Sequence, residues 1–257
     1  MGFLSDLVAG LRRELDERPP DEAALRAAAG SAPSVRNFEA ALRGPGVAVI
    51  AEVKRSSPSA GAIAETDPAG RAAAYERGGA AAISVLTEPA HFGGSLEDLR
   101  AARRATSLPV LRKDFLIASA QLAEARAADA DAVLLITASV TDDELESLLQ
   151  TAKELELSAL VEAHAEEDLE RSLAAGAAIV GINARDLETL DVDEERALRL
   201  LERVPSDRVR VFESGISSRE QVQRAVDAGA DAVLVGEHLM RSADPAAAIA
   251  GLRGSVS

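Results

Sequence analysis

The chain has 257 residues, 47% of them hydrophobic but only 2% aromatic, and carries a formal charge of −15. Its 43 acidic residues are spread along the whole length, which argues against a general nucleic-acid or anionic-membrane surface and requires any bound anion to be held locally. The absence of cysteine excludes disulfides, thiolate catalysis and cysteine-ligated zinc. No run nears the roughly 18 apolar residues that span a bilayer and no signal-peptide core opens the chain, so a cytoplasmic protein is expected.

A helix is predicted from about Phe3 to Glu17, stopped by Pro19-Pro20, followed by a second amphipathic piece from about Ser34 to Leu42 that ends at "RGPG". Residues 1–45 stand outside the repeat that follows and read as an N-terminal helical extension packed on it. From residue 46 to 257 one unit recurs: an apolar β-branched run, a polar loop, an amphipathic helix and a Gly or Ala-Asp exit. Eight runs are predicted, at Val47–Val53, Ala80–Leu86, Leu108–Arg112, Asp131–Ile136, Ser158–Val161, Ala178–Ile182, Arg208–Phe212 and Asp231–Val235. Helix starts are marked near Ser95, Thr141 and Ser217, where a hydroxyl precedes acidic first-turn residues. Near-continuous apolar strands alternating with helices require a parallel sheet covered by helices, and eight such units indicate an α/β fold, a (β/α)8 TIM barrel. An open doubly wound sheet is the alternative.

Reacting groups in such barrels lie at the carboxyl ends of the strands. Here those ends are polar: Glu52 and Lys54, Glu88, Lys113 and Asp114, Thr137, Glu162, Asn183 and Arg185, Glu213 and Ser214, then Gly236 and Glu237. A structural barrel needs solvated loops but has no reason to gather carboxylates and amines on one mouth. The chain contains 28 basic residues of which only Lys54, Lys113 and Lys153 are lysine, and two of these end strands. Arginine cannot exchange its proton near neutrality whereas a desolvated lysine can, so proton-transfer chemistry explains lysine at these two positions. Lys153, on a helix beside Glu156, reads as surface. An acidic chain with so few lysines suggests a high-salt cytoplasm, with an ordinary acidic protein as the alternative.

The glycine turns "ESGISS" and "LVGEHL" follow the seventh and eighth runs, the usual phosphate position of these barrels, and Ser57 could add a hydroxyl from the first loop. His91, His164 and His238 are not at ligand spacing, so no metal is expected. Phe92 and Phe115 sit at the mouth, as local packing or as the wall for an aromatic substrate.

With these residues in view the chain resembles the indole-3-glycerol phosphate synthase family of tryptophan biosynthesis. The resemblance spans nearly the whole chain and rests on "IAEVKRSSPSAG", "SVLTEPAHFGGSLEDL", "VLRKDF", "LVEAH", "GINARDLETL", "ESGI" and "LVGEHLM", in order. Ala60 and Ala184 fall at variable motif positions, and Glu237-His238 stands where some relatives carry small hydroxyl residues, which leaves phosphate ligands beyond the Gly236 amide open. The resemblance implies closure, decarboxylation and dehydration of 1-(2-carboxyphenylamino)-1-deoxyribulose 5-phosphate without metal or organic cofactor. It implies Lys113 as the acid for condensation, Glu162 as the proton-transfer partner in dehydration, and Lys54 as the group near the substrate carboxylate and a second acid. Glu52 and Glu213 would orient and tune the lysines, and Asn183 would hold a substrate hydroxyl. Ser57, Gly215 and Gly236 would bind the phosphate, Ser214 and Arg185 would also contact the substrate, Arg185 as a counter-charge, while Phe92, Phe115 and Leu134 would enclose the anthranilate ring. The expected partner is a phosphorylated small molecule, with no nucleic acid, no membrane and a monomeric state; association with other enzymes of the pathway is left open. The alternatives are a Schiff-base aldolase on the same barrel, in which a strand-end lysine is a nucleophile, a related isomerase, against which the lack of cysteine counts, and a ligand-binding barrel without activity.

Overall fold

The computed structural model describes residues 2–57, 61–63 and 67–253, with the side chains of Ser57 and Ala62 outside that description. Eight parallel strands close on themselves: β1 (Ala48–Val53), β2 (Ala82–Leu86), β3 (Val110–Lys113), β4 (Ala132–Ile136), β5 (Ser158–Ala163), β6 (Ile179–Asn183), β7 (Val209–Glu213) and β8 (Ala232–Val235). Strand β1 pairs with β2 on one side and β8 on the other, which shuts the barrel and leaves no edge. The eight predicted runs each coincide with one of these strands, and the open sheet is excluded.

The two-residue period of a strand splits the core into two shells. Val49, Ile83, Val110, Val133, Val161, Val180, Phe212 and Val233 face outward and pack under helical residues such as Leu99, Leu122 and Leu145. Ile50, Leu111, Leu134, Leu160, Ile179, Val211 and Leu234 face inward and fill the barrel. Continuing the inward rows toward the carboxyl ends reaches Glu52, Lys113, Glu162 and Glu213 in one step and, past Gly181, Asn183 in two. The top interior layer is therefore polar where the layers beneath are aliphatic, and the fold itself makes those five side chains converge.

The N-terminal segment differs from expectation in one respect. Besides the helix Phe3–Glu17 it contains a helix Glu22–Gly30, and the later piece is a short helix, Phe38–Leu42. Asp21 accepts a hydrogen bond from Ala24 N, an N-cap on a run of alanines that are strong helix formers, so the helix restarts directly after the two prolines. It lies on the helix Ser119–Ala127, where Ser119 Oγ donates to Glu22 Oε2 at 3.0 Å. Arg36 N donates to Asp131 Oδ1 at 2.7 Å and Arg126 Nη2 to Pro33 O at 2.5 Å, fastening the segment at the strand starts. Phe38 and Leu42 are fully buried in the cluster that fills the barrel, and burial of one such side chain contributes about 2 kcal/mol. At the third marked helix start, Ser218 rather than Ser217 caps the helix Arg219–Asp227, accepting from Gln221 N at 3.3 Å. No helix among the described residues is long and apolar enough to cross a membrane.

The helix Phe3–Glu17 reaches the opposite, carboxyl end of the barrel. Its N-cap, Gly2, has no side chain to satisfy the first amides, and the loop after β6 does so instead. Phe3 N donates to Glu188 O at 3.3 Å, Leu4 N to Leu187 O at 3.2 Å and Ser5 N to Glu188 Oε1 at 3.2 Å, while Ser5 Oγ also donates to that carboxylate. A carboxylate at a helix N-terminus is favoured by the helix dipole as well as by the hydrogen bonds. Glu188→Ala should therefore cost about 1 kcal/mol and speed hydrogen exchange in the first turns of this helix. Unchanged exchange there would show that apolar packing alone holds the helix on the mouth.

Candidate functional site

A cavity of about 800 Å³ opens at the carboxyl ends of the strands, and the polar top layer forms its floor. Lys113 Nζ lies at its centre, 2.9 Å from Glu213 Oε2 and 3.2 Å from Glu162 Oε2. Glu162 is held in turn by Asn183, whose Nδ2 donates to Glu162 Oε1 at 3.0 Å, while Asn183 Oδ1 accepts from Arg185 N at 2.9 Å. A second pair stands beside this one: Lys54 Nζ lies 2.9 Å from Glu52 Oε1. The four charged partners Glu52, Glu162, Glu213 and Lys113 all arise from final inward positions of β1, β5, β7 and β3.

Burial dominates the electrostatics. It opposes the charge on Lys113, but Glu213, Glu162 and Glu52 outweigh it and hold the lysine pKa above its ordinary value. Burial also pushes the Glu213 carboxyl up to about 8, against the pull of the Lys113 ammonium, and the neighbouring Glu162 pushes it further the same way. The cluster thus keeps its ammonium loaded at neutral pH and holds a carboxyl that takes up a proton at unusually high pH. Groups coupled this closely exchange protons as a unit.

The cavity is chemically two-sided. On one side Phe92, Phe115 and Leu134 form an apolar wall, with the Phe92 and Phe115 rings 6.3 Å apart. Phe3 and Leu187 complete that wall, and Leu190 also lines the cavity, its carbonyl accepting from Arg185 Nη1 at 2.7 Å; the sequence had singled out none of the three. Phe3 comes from the N-terminal helix and stands edge-on to His91 at 5.1 Å and to Phe115 at 6.3 Å. Its position as one of five phenylalanines, at the start of an amphipathic helix, was the available signal. On the other side lie Ser214, Gly215 and Gly236 with Arg185, His238 and Arg241. Ser214 and Gly215 have consecutive positive φ angles of 72° and 79°, a left-handed turn that takes the chain away from the end of β7 at the cavity. Gly236 begins the short helix Glu237–Arg241. Ser57, expected here too, has its side chain outside the described residues.

Several polar strand ends serve the scaffold. Glu88 caps the turn Pro89–Phe92, accepting from the amides of Ala90, His91 and Phe92. Asp114 lines the cavity, but its carboxylate is tied to Arg112 at 3.0 Å and to Thr87 Oγ1 at 2.5 Å. Thr137 bonds Ser172 Oγ at 2.7 Å under the helices. His164 shares its ring nitrogens between Asn183 O at 3.1 Å and Asp186 Oδ2 at 3.2 Å, steadying the loop after β6. Lys153 is exposed on its helix.

Comparison with known proteins agrees with this geometry. The family model described as indole-3-glycerol phosphate synthase matches residues 4–252. The indole-3-glycerol phosphate synthase of Nocardioides sp. is 51% identical, with 99% of each chain covered. That of Micrococcus luteus is 50% identical, with 99% of this chain and 98% of the relative covered. Among solved structures, a thiamine phosphate pyrophosphorylase from Pyrococcus furiosus matches at a TM-score of 0.62 and 20% identity, over 82% of this chain and 96% of the other. A 3-hexulose-6-phosphate synthase matches at 0.63 and 20%, over 80% and 98% respectively, and both likenesses concern the barrel fold alone. Sequence identity near one half over the full length, on a barrel whose mouth carries this cluster, leaves one conclusion: the chain belongs to the indole-3-glycerol phosphate synthase family.

Proposed function

We propose that Lys113, between Glu162 and Glu213, is the proton donor that starts ring closure of 1-(2-carboxyphenylamino)-1-deoxyribulose 5-phosphate to indole-3-glycerol phosphate. The observation that carries this assignment is the ammonium itself, 2.9 and 3.2 Å from two buried carboxylates at the floor of a two-sided cavity. The ring carbon bearing the carboxylate attacks the ribulose carbonyl, and its oxygen takes a proton from Lys113 as the new carbon–carbon bond forms. Loss of carbon dioxide returns the bonding pair to the ring. Dehydration follows, in which Glu162 accepts a proton from the former C1 methylene while an acid protonates the departing hydroxyl. Glu162 suits this role because Asn183 fixes one carboxylate oxygen and leaves the other beside Lys113.

Lys54, paired with Glu52, would meet the substrate carboxylate and supply a second acid. The apolar wall of Phe92, Phe115 and Leu134 would enclose the anthranilate ring, and the Ser214-Gly215 turn with Gly236 and Arg185 would hold the phosphate. On a chain of charge −15 this local concentration of cations is what an anionic substrate needs. A Schiff-base nucleophile, by contrast, must be a neutral amine, and three carboxylates keep Lys113 an ammonium. The experiment is direct: mixing the protein with the carboxyphenylamino-deoxyribulose phosphate should produce indole fluorescence at a catalytic rate. Absence of fluorescence, or a lysine adduct trapped by borohydride, would overturn the assignment.

A further inference from the structure

Glu213 is 1% exposed, and its two carboxylate oxygens have different surroundings. Oε2 accepts from Lys113 Nζ at 2.9 Å, whereas Oε1 is buried without a hydrogen-bond partner among the described residues. What lies against Oε1 is the backbone of Gly181 in the adjacent strand β6, where the register sets Gly181 opposite Val211 and Asn183 opposite Glu213. A Cβ built on Gly181 would fall 2.2 Å from Glu213 Oε1 and 3.2 Å from Leu160 Cδ1. Gly181 has no positive φ, so its backbone conformation is open to any residue. Glycine also weakens a strand interior, and its presence there signals a close approach by another group. A glycine also stands close to the second lysine–glutamate pair, there against the paired oxygen: a Cβ on Gly236, just past β8, would fall 2.2 Å from Glu52 Oε1 and 2.8 Å from Lys54 Nζ.

We propose that Gly181 is a positioning residue: its missing Cβ forms the seat for the Glu213 carboxylate, and through Glu213 it sets Lys113 between the two glutamates. The seat explains how a carboxylate with one unbonded oxygen is kept in a single place inside the barrel. Neighbouring hydrogen bonds do not hold Oε1; the space over one glycine does. A side chain at residue 181 would drive the carboxylate toward the cavity and carry the ammonium with it. The proposal rests on the proton-donor role given to Lys113 above.

The test pairs activity with stability. Gly181→Ala should lower kcat by about 10²-fold, the scale of a roughly 1 Å misplacement of a reacting group, with a much smaller change in KM and a displaced pH profile of kcat. Adding Glu213→Asp withdraws the carboxylate by one methylene, so the double variant should exceed the product of the two single effects by about tenfold. Wild-type kcat and pH profile in G181A, or purely multiplicative effects in G181A/E213D, would overturn the proposal. Melting temperatures settle the case if G181A folds poorly. The substitution should lower the melting temperature by about 5 °C in the wild-type background and by about 1 °C in an E213A background, where the clash is gone. An equal loss in both backgrounds would assign the glycine to Leu160 packing and overturn the seat. Near wild-type turnover in Lys113→Ala would remove the proton-donor role alone, since the melting comparison involves no substrate.

Discussion

Lys113→Ala should cut kcat by about 10²-fold or more, the contribution of a positioned general acid, while the protein stays folded. The second half of that expectation follows from the cluster's charges. Removing one member of a buried ion pair costs about 3–5 kcal/mol when the partner is left charged. Here Glu213, already pushed up to about 8 by burial, loses the ammonium that opposed its protonation and so stays neutral to still higher pH, leaving no unpaired charge at that position. The loss of stability should therefore fall below that range, and a melting curve with circular dichroism checks it. The same reasoning gives a pH dependence. A carboxyl whose folded pKa is raised binds its proton more tightly in the folded state, so its contribution to stability is present below the unfolded value and lost as pH rises through the folded one. In the variant this decline should continue to higher pH than in the wild type, because the lost Lys113 ammonium had favoured the ionised carboxylate and held its folded pKa down to about 8. Turnover near the wild-type rate would remove the acid role, whatever the melting curve.

The barrel was legible because its strands are short apolar runs with a polar residue at each carboxyl end, and because lysine is so scarce that Lys54 and Lys113 stood out. Sorting those ends was harder. Glu88, Asp114 and Thr137 look the same in sequence as Glu52, Glu162 and Glu213, yet they tie loops and helices to the barrel. The strand period held the answer for one of them: Asp114 follows the inward-facing Lys113, so its side chain leaves on the other face and meets Arg112. Phe3 was not legible because it reaches Phe115 across more than a hundred residues, and no local pattern encodes such a contact. Gly181 was silent for the same reason, since its meaning depends on a carboxylate from the next strand. The helix Glu22–Gly30 was legible in principle, through Asp21 and the alanines after it, but the proline pair before it masked the restart.

Glu162→Gln should separate the reaction's two halves. The substitution keeps the shape of the side chain and one oxygen to accept from Asn183 Nδ2, now 3.0 Å away, but removes the charge and the capacity to accept a proton. Ring closure needs the Lys113 proton, and loss of carbon dioxide follows from the electron pair returning to the ring; neither step needs Glu162 as a base. Dehydration does, because the methylene proton must leave before the indole double bond can form. Steady-state turnover should fall by about 10²-fold or more. In a single turnover with enzyme in excess, carbon dioxide should nonetheless appear well ahead of indole fluorescence, whereas in Lys113→Ala both signals should be slowed together. Lys113 also loses one of the carboxylates that hold its proton, so its pKa should move down toward the ordinary lysine value, strengthening it as an acid for the first step. Equal retardation of carbon dioxide and indole in Glu162→Gln would mean that Glu162 acts before decarboxylation, through Lys113 and not on the methylene proton.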